Sequence, residues 1–200
     1  MSSPGAARRL LPSLLVLVAS GCARDTPMNT LVARSDYARS IRDLYWFVTW
    51  ITLAIAVVVR INLVAFLVRF RERPGRPLPP QTVGHTVLEI VWTVAPALVL
   101  LGIAVPTIQV VFRTQPRAAP RGSLAVTVVA HKWWWEFRYP DLDVVTANEL
   151  HLPAGRPAAL KLIGTDVIHS FWVPQLGGKR DVIPGRTNWI ELTPEVSGEY

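Results

Sequence analysis

Four residues of this 200-residue chain have a type and a setting that could do chemistry. His169 sits in Thr165-Asp166-Val167-Ile168-His169-Ser170-Phe171-Trp172-Val173-Pro174, between strand-like residues. Imidazole is a good ligand for transition metals, and the competing reading is an ordinary packed or surface histidine. Trp133 opens the run Trp133-Trp134-Trp135, an aromatic cluster whose plain reading is core or interface packing. Strand side chains alternate faces, so at least one of Trp134 and Trp135 is expected to pack inward. Glu89 is an ionisable residue near the start of an apolar run, a setting that marks proton or ion pathways in membranes, with a carboxylate solvated at the membrane edge as the alternative. Cys22 follows Ala19-Ser20-Gly21 and is the only cysteine, which excludes an internal disulfide, a CxxC redox pair and any zinc site needing two thiolates.

The elements around these residues point to a membrane protein with a β domain attached. Half of the residues are hydrophobic and 18% are charged, against about 25% in a typical soluble chain. Arg8 and Arg9 precede the short apolar run Leu10–Ala19, so residues 1–22 read as an export signal. The small residues before Cys22 fit a lipobox, in which Cys22 is lipidated, or a plain signal peptide cleaved nearby. Residues 23–43 then begin outside the cytoplasm.

Two spans are expected in 44–112, at about 44–68 and 87–112. Tyr45, Trp46 and Trp50 mark an aromatic belt at the outer end of the first. Arg60 and Asn62 interrupt that span, with Arg60 either snorkelling to the inner headgroups or meeting a specific partner. The connector from Arg69 to Pro80 holds four arginines and four prolines and belongs in the cytoplasm. Up to Phe112 the chain has 11 Lys/Arg and 5 Asp/Glu, and beyond it 10 and 9, so the basic surplus is a topology signal. No basic, aromatic-interleaved surface for nucleic acid is evident in the outer half, and no P-loop, dinucleotide fingerprint or hydrolase triad is present.

Residues 113–122 read as a linker. From 123 to 200 the period becomes that of strands, at Leu124–Ala130, Lys132–Tyr139, Ala158–Gly164, Val167–Val173 and Thr187–Leu192, divided by Gly and Pro. Such spacing predicts a Greek-key sandwich or barrel, small at 78 residues and with a strand edge left uncovered.

Three segments in this order, after a two-span hairpin, resemble subunit II of the haem–copper cytochrome c oxidases. They are His85-Thr86-Val87-Leu88-Glu89-Ile90-Val91-Trp92-Thr93-Val94-Ala95-Pro96, Ala130-His131-Lys132-Trp133-Trp134-Trp135-Glu136-Phe137-Arg138-Tyr139-Pro140, and Gly164 through Pro174 continued by Gly177-Gly178-Lys179-Arg180-Asp181 and Ile183-Pro184-Gly185-Arg186. The resemblance covers residues 40–200. It implies a cupredoxin-like domain holding a dinuclear copper A centre, electrons taken from cytochrome c and passed to subunit I, and oxygen reduction with proton pumping there. Haem would be held only by partner subunits, and the chain would not be catalytic alone. On this resemblance His169 is a copper ligand, Trp133 the point of electron entry, Glu89 the mouth of a proton pathway and His131 structural. Asp166 and Asp181 either shape the ligand loop or face the cytochrome. The protein would sit in the bacterial plasma membrane, with its N-terminus and β domain on the periplasmic face.

The sequence departs from the family pattern in two places. Lys132 stands where the family has Gln, placing a positive charge beside a surface expected to attract a basic cytochrome. The remaining copper ligands of the family lie in Cys-x-x-x-Cys-x-x-x-His-x-x-Met, after a Gly-x-Tyr like Gly198-Glu199-Tyr200, and no cysteine follows Cys22. The chain is therefore read as a fragment ending before that loop, or else as a copper-free variant. The alternative class is the copper-free, structural subunit II of quinol oxidases, which has lost the histidine at position 169.

Overall fold

The computed structural model describes residues 26–75, 83–116 and 119–200. Among the described residues two helices come first, α1 (Asp36–Arg69) and α2 (Thr86–Arg113). Both are long and apolar enough to cross a membrane. At about 1.5 Å per residue, the 34 residues of α1 extend roughly 51 Å. A bilayer's hydrocarbon core is only about 30 Å thick.

The surplus length lies at the outer end of α1, which begins eight residues before the expected span because it is built into the β domain. Ser35 is its N-cap, accepting from the Ala38 amide at 3.0 Å while its hydroxyl donates to the Leu176 carbonyl at 2.5 Å. Asp36 accepts from the Thr193 amide at 2.7 Å, and Tyr37 and Ala38 are buried. α2 carries Pro96 and Pro106 without interruption, as membrane helices tolerate. Pro106 and Val110 share a cleft with Leu44 and Phe47 of α1.

Seven strands follow: β1 (Leu124–His131), β2 (Trp134–Tyr139), β3 (Val144–Ala147), β4 (Ala158–Gly164), β5 (His169–Phe171), β6 (Arg180–Val182) and β7 (Asn188–Leu192). Five make a mixed sheet in the order β3-β2-β1-β4-β7, and β5 and β6 pair separately. β1 and β4 are parallel, in register from Leu124 opposite Ala158 to Ala130 opposite Gly164. The other strand pairs are antiparallel, and Gly164 and Pro184 form an isolated parallel bridge.

Alternation explains the core. Leu124, Val126, Val128 and Ala130 of β1 point inward against Leu160 and Leu162 of β4, and the β5–β6 layer covers them with Phe171 and Val182. Gly164 is needed where that second layer crosses the end of β4. A Cβ there would lie 3.1 Å from Pro184 N and 3.2 Å from the Val182 carbonyl oxygen.

Two strands in this fold escaped the sequence reading, β3 and β6, and the strand expected over 167–173 is only His169–Phe171. Val167 and Ile168 instead occupy an exposed turn.

Candidate functional site

The site is assembled by two turns at one end of the mixed sheet. Because β1 and β4 run parallel, their C-terminal ends emerge together. The β1–β2 turn carries Lys132 and Trp133, and the β4–β5 turn carries Thr165 to Ile168. Hydrogen bonds tie the turns together. Thr165 donates to the Ala130 carbonyl through its hydroxyl at 2.8 Å, and the Lys132 amide donates to Asp166 Oδ2 at 2.7 Å.

Asp166 is the centre of this link. Its Oδ1 also accepts from His169 Nε2 at 2.6 Å and from the Val167 amide at 2.6 Å. The histidine bond, then the two amides, hold its carboxyl well below the usual carboxylate range. His169, with 18% of its side chain exposed, is thereby fixed with Nε2 against Asp166 and Nδ1 directed elsewhere. A carboxylate behind a ring nitrogen is the arrangement that orients histidines at metal sites.

The aromatic run divides as alternation requires. Trp133 is 94% exposed at the turn tip. Trp134 turns outward and stacks on His131, with ring centroids 4.5 Å apart and 10° between planes. Trp135 turns inward, with its ring at 5.9 Å edge-to-face against His169 and 5.3 Å against Phe171. His131 is part of a structural cluster, its Nε2 at 2.9 Å from Glu136 Oε2 and its Nδ1 3.3 Å from the Thr165 hydroxyl. Arg138, then His131, lowers the Glu136 carboxyl from its ordinary value by hydrogen bonding. Asp181 accepts from the Ser170 hydroxyl at 2.7 Å, pinning β6 to β5.

Other sequence-predicted residues lie far along the chain. Glu89 stands in the first turns of α2, where His85 is the N-cap. The His85 amide donates to Glu89 Oε1, and the Leu88 amide donates to His85 Nδ1, both at 3.3 Å. Arg60 is exposed on α1. Cys22 lies outside the described residues.

Two features were not anticipated. Tyr37 packs under Gly177, where a Cβ would come within 2.4 Å of the ring. Arg180 donates to the carbonyl of Thr114 at the end of α2, at 2.7 Å, joining the second span to the site layer. No spacing rule links either pair.

Among the described residues no group of three or more His, Cys, Asp or Glu side chains is placed to hold a metal ion. His169 supplies one oriented imidazole. One imidazole does not fit a dinuclear copper centre, whose bridging thiolates these residues do not provide.

Residues 23–110 match the family model described as the transmembrane domain of cytochrome c oxidase subunit II, and residues 142–200 match the model of its periplasmic domain. The chain is similar to cytochrome c oxidase subunit 2 of Alkalihalophilus pseudofirmus, with 34% identity over 97% of this chain and 58% of that one. It is also similar to quinol oxidase subunit 2 of Bacillus cereus, with 30% identity over 96% of this chain and 67% of that one. Among solved structures, the periplasmic domain of cytochrome oxidase subunit II from Bradyrhizobium japonicum is 27% identical over 40% of this chain and 70% of that one, with a TM-score of 0.38. The chain spans a little over half to two thirds of the length of these two full-length relatives. With both domain models matched in order across a two-helix hairpin and a β domain, the chain belongs to the subunit II family of the haem–copper oxidases.

Proposed function

We propose that this chain is the electron-accepting part of a bacterial cytochrome c oxidase, taking electrons from cytochrome c at Trp133 and delivering them toward subunit I. Oxygen reduction and haem belong to the partner subunits. The complete subunit would hold copper A, with His169 as one ligand and the others supplied from outside these 200 residues. Glu89 would stand at the cytoplasmic mouth of a proton pathway, and Cys22 would carry a lipid anchor in the periplasmic leaflet. The observation that carries the reading is the Asp166–His169 pair, 2.6 Å apart, directly behind the turn that presents Trp133. The pair fixes the ring's orientation, as partners behind ligand histidines do, and it is tied to the Trp133 turn, whereas the Glu136 carboxylate behind His131 is tied to Arg138 on the same strand.

The test is copper content. The complex purified from membranes should contain copper beyond that of its oxygen-reducing site, and His169→Ala should lose that excess with haem content unchanged. Equal copper in both would refute the assignment.

The second reading is a copper-free, structural subunit II of the quinol-oxidase type. It is favoured by the quinol oxidase subunits among the relatives, at 30–33% identity, and disfavoured by His169. The two readings differ in the electron donor.

A further inference from the structure

Arg60 stands in the middle of the first membrane-crossing helix, and the function proposed above makes no use of it. At about 1.5 Å per residue, Arg60 lies roughly 15 Å below Trp50 of the aromatic belt and roughly 13 Å above Arg69 at the helix end. Those two markers are separated by close to the thickness of the hydrocarbon core, about 30 Å, so Arg60 is near its centre. The depth is fixed. α1 cannot slide to relieve the charge, because Ser35, Asp36 and Tyr37 hold its outer end in the β domain.

Snorkelling does not reach water from there. Helical side chains lean toward the helix N-terminus, and the N-terminus of α1 is at its outer end. Arg60 therefore sets out away from the inner headgroups, and the outer ones lie beyond Trp50.

This chain does not neutralise the charge either. Among the described residues none forms an ion pair or hydrogen bond with Arg60. Glu89, in the first turn of α2, belongs to the inner end of the hairpin. At about 100° per residue, Arg60 points about 140° away from Phe47 and about 160° away from Leu44, the residues of α1 that share a cleft with α2. Every residue of α1 from Thr52 to Phe70 is exposed. On the Arg60 face, one turn toward the outer end, stands Ala56, and small residues of this kind let membrane helices approach closely.

A cation held inside a membrane faces a partner or a polar cavity. A carboxylate both cancels the charge and accepts the paired N–H donors of a guanidinium. We propose that the face of α1 bearing Ala56 and Arg60 is covered, in the assembled oxidase, by a transmembrane helix of another subunit whose carboxylate pairs with Arg60 at mid-depth. The proposal rests on membership of the family and on neither reading of the electron donor.

The test uses the oxidase complex purified in mild detergent through a tag on another subunit, with the ratio of this chain to haem as the readout. Arg60→Leu makes the span easier to insert, so a loss cannot come from a helix that failed to enter the membrane. It leaves the partner's carboxylate unpaired and should lower the ratio about tenfold. Arg60→Glu should lower it further, and Arg60→Lys should keep most of it. A photoactivatable residue placed at position 56 should join the chain to another subunit. Replacing one Asp or Glu by Arg in the helix so marked should restore assembly of Arg60→Glu. A wild-type ratio for Arg60→Leu would overturn the proposal, as would a probe at position 56 that labels only lipid, or a labelled helix in which no such replacement restores assembly.

Discussion

Gly177→Ala tests how the first membrane helix is locked to the site layer. Gly177 does not require a glycine backbone conformation, so any cost is steric. An added Cβ would sit 2.4 and 2.7 Å from Cδ1 and Cε1 of Tyr37, whereas carbon atoms prefer about 3.5–4.0 Å. The ring must therefore move by about 1 Å. It has little room to do so, being 7% exposed and part of the hydrophobic core. The helix below it is also anchored through Ser35 and Asp36. Overpacking of this kind costs about 1–3 kcal/mol. At about 2 kcal/mol the folding equilibrium shifts by about thirtyfold, and a domain of this size loses roughly 10 °C in Tm. The assay is thermal unfolding in detergent, followed by near-ultraviolet circular dichroism. Gly178→Ala is the comparison, because its Cβ would come no closer than 3.1 Å, to the tips of Ile41 and Tyr37, and it should cost less. In the Tyr37→Ala background, Gly177→Ala should cost nothing further. A Gly177→Ala protein that melts within a degree of wild type would refute the steric argument, as would an equal loss with and without the tyrosine ring.

Two other substitutions probe the same framework. Ser35→Ala removes the α1 cap and leaves the buried Leu176 carbonyl without its donor, so urea denaturation should report a loss of about 2 kcal/mol. Asp166 has a lowered pKa in the folded protein, owing first to its bond with His169. Its contribution to stability is therefore complete above the ordinary aspartate value near 4 and is lost as pH falls through the lower folded value. Asp166→Asn should accordingly be less stable at neutral pH and lose less stability on acidification than wild type, as read from unfolding curves taken across the acidic range. Parallel curves would contradict that role.

Much of this architecture was legible in the sequence, because hydropathy and alternation act locally. The two long apolar helices, β1, β4 and β7 lie over the apolar runs and between the turn residues that pointed to them. The inward Trp135 and outward Trp134 follow from period two. The outer turns of α1 were hidden because Asp36, Arg39, Arg42 and Asp43 break the apolar run on which the span was read, and docking against Gly177 and Thr193 holds them as helix. β3 is four residues long and β6 three, with a charged pair at Arg180-Asp181, too short for any periodicity to show. In the reverse direction, Val167 and Ile168 look like strand, yet Asp166 bonds to the Val167 amide and the His169 ring on either side of their turn and they stay exposed. His169 was singled out by its segment. That Asp166 orients it, and joins it to the Trp133 turn, is a long-range contact that appears only once β1 and β4 lie side by side.

The most direct test of the functional account is the electron donor. The purified complex should oxidise reduced cytochrome c while reducing oxygen, and His169→Ala should abolish that activity with the haem spectrum intact. A complex that oxidises quinol and not cytochrome c, with the same rate in wild type and His169→Ala, would contradict the account and place the chain with the copper-free subunits.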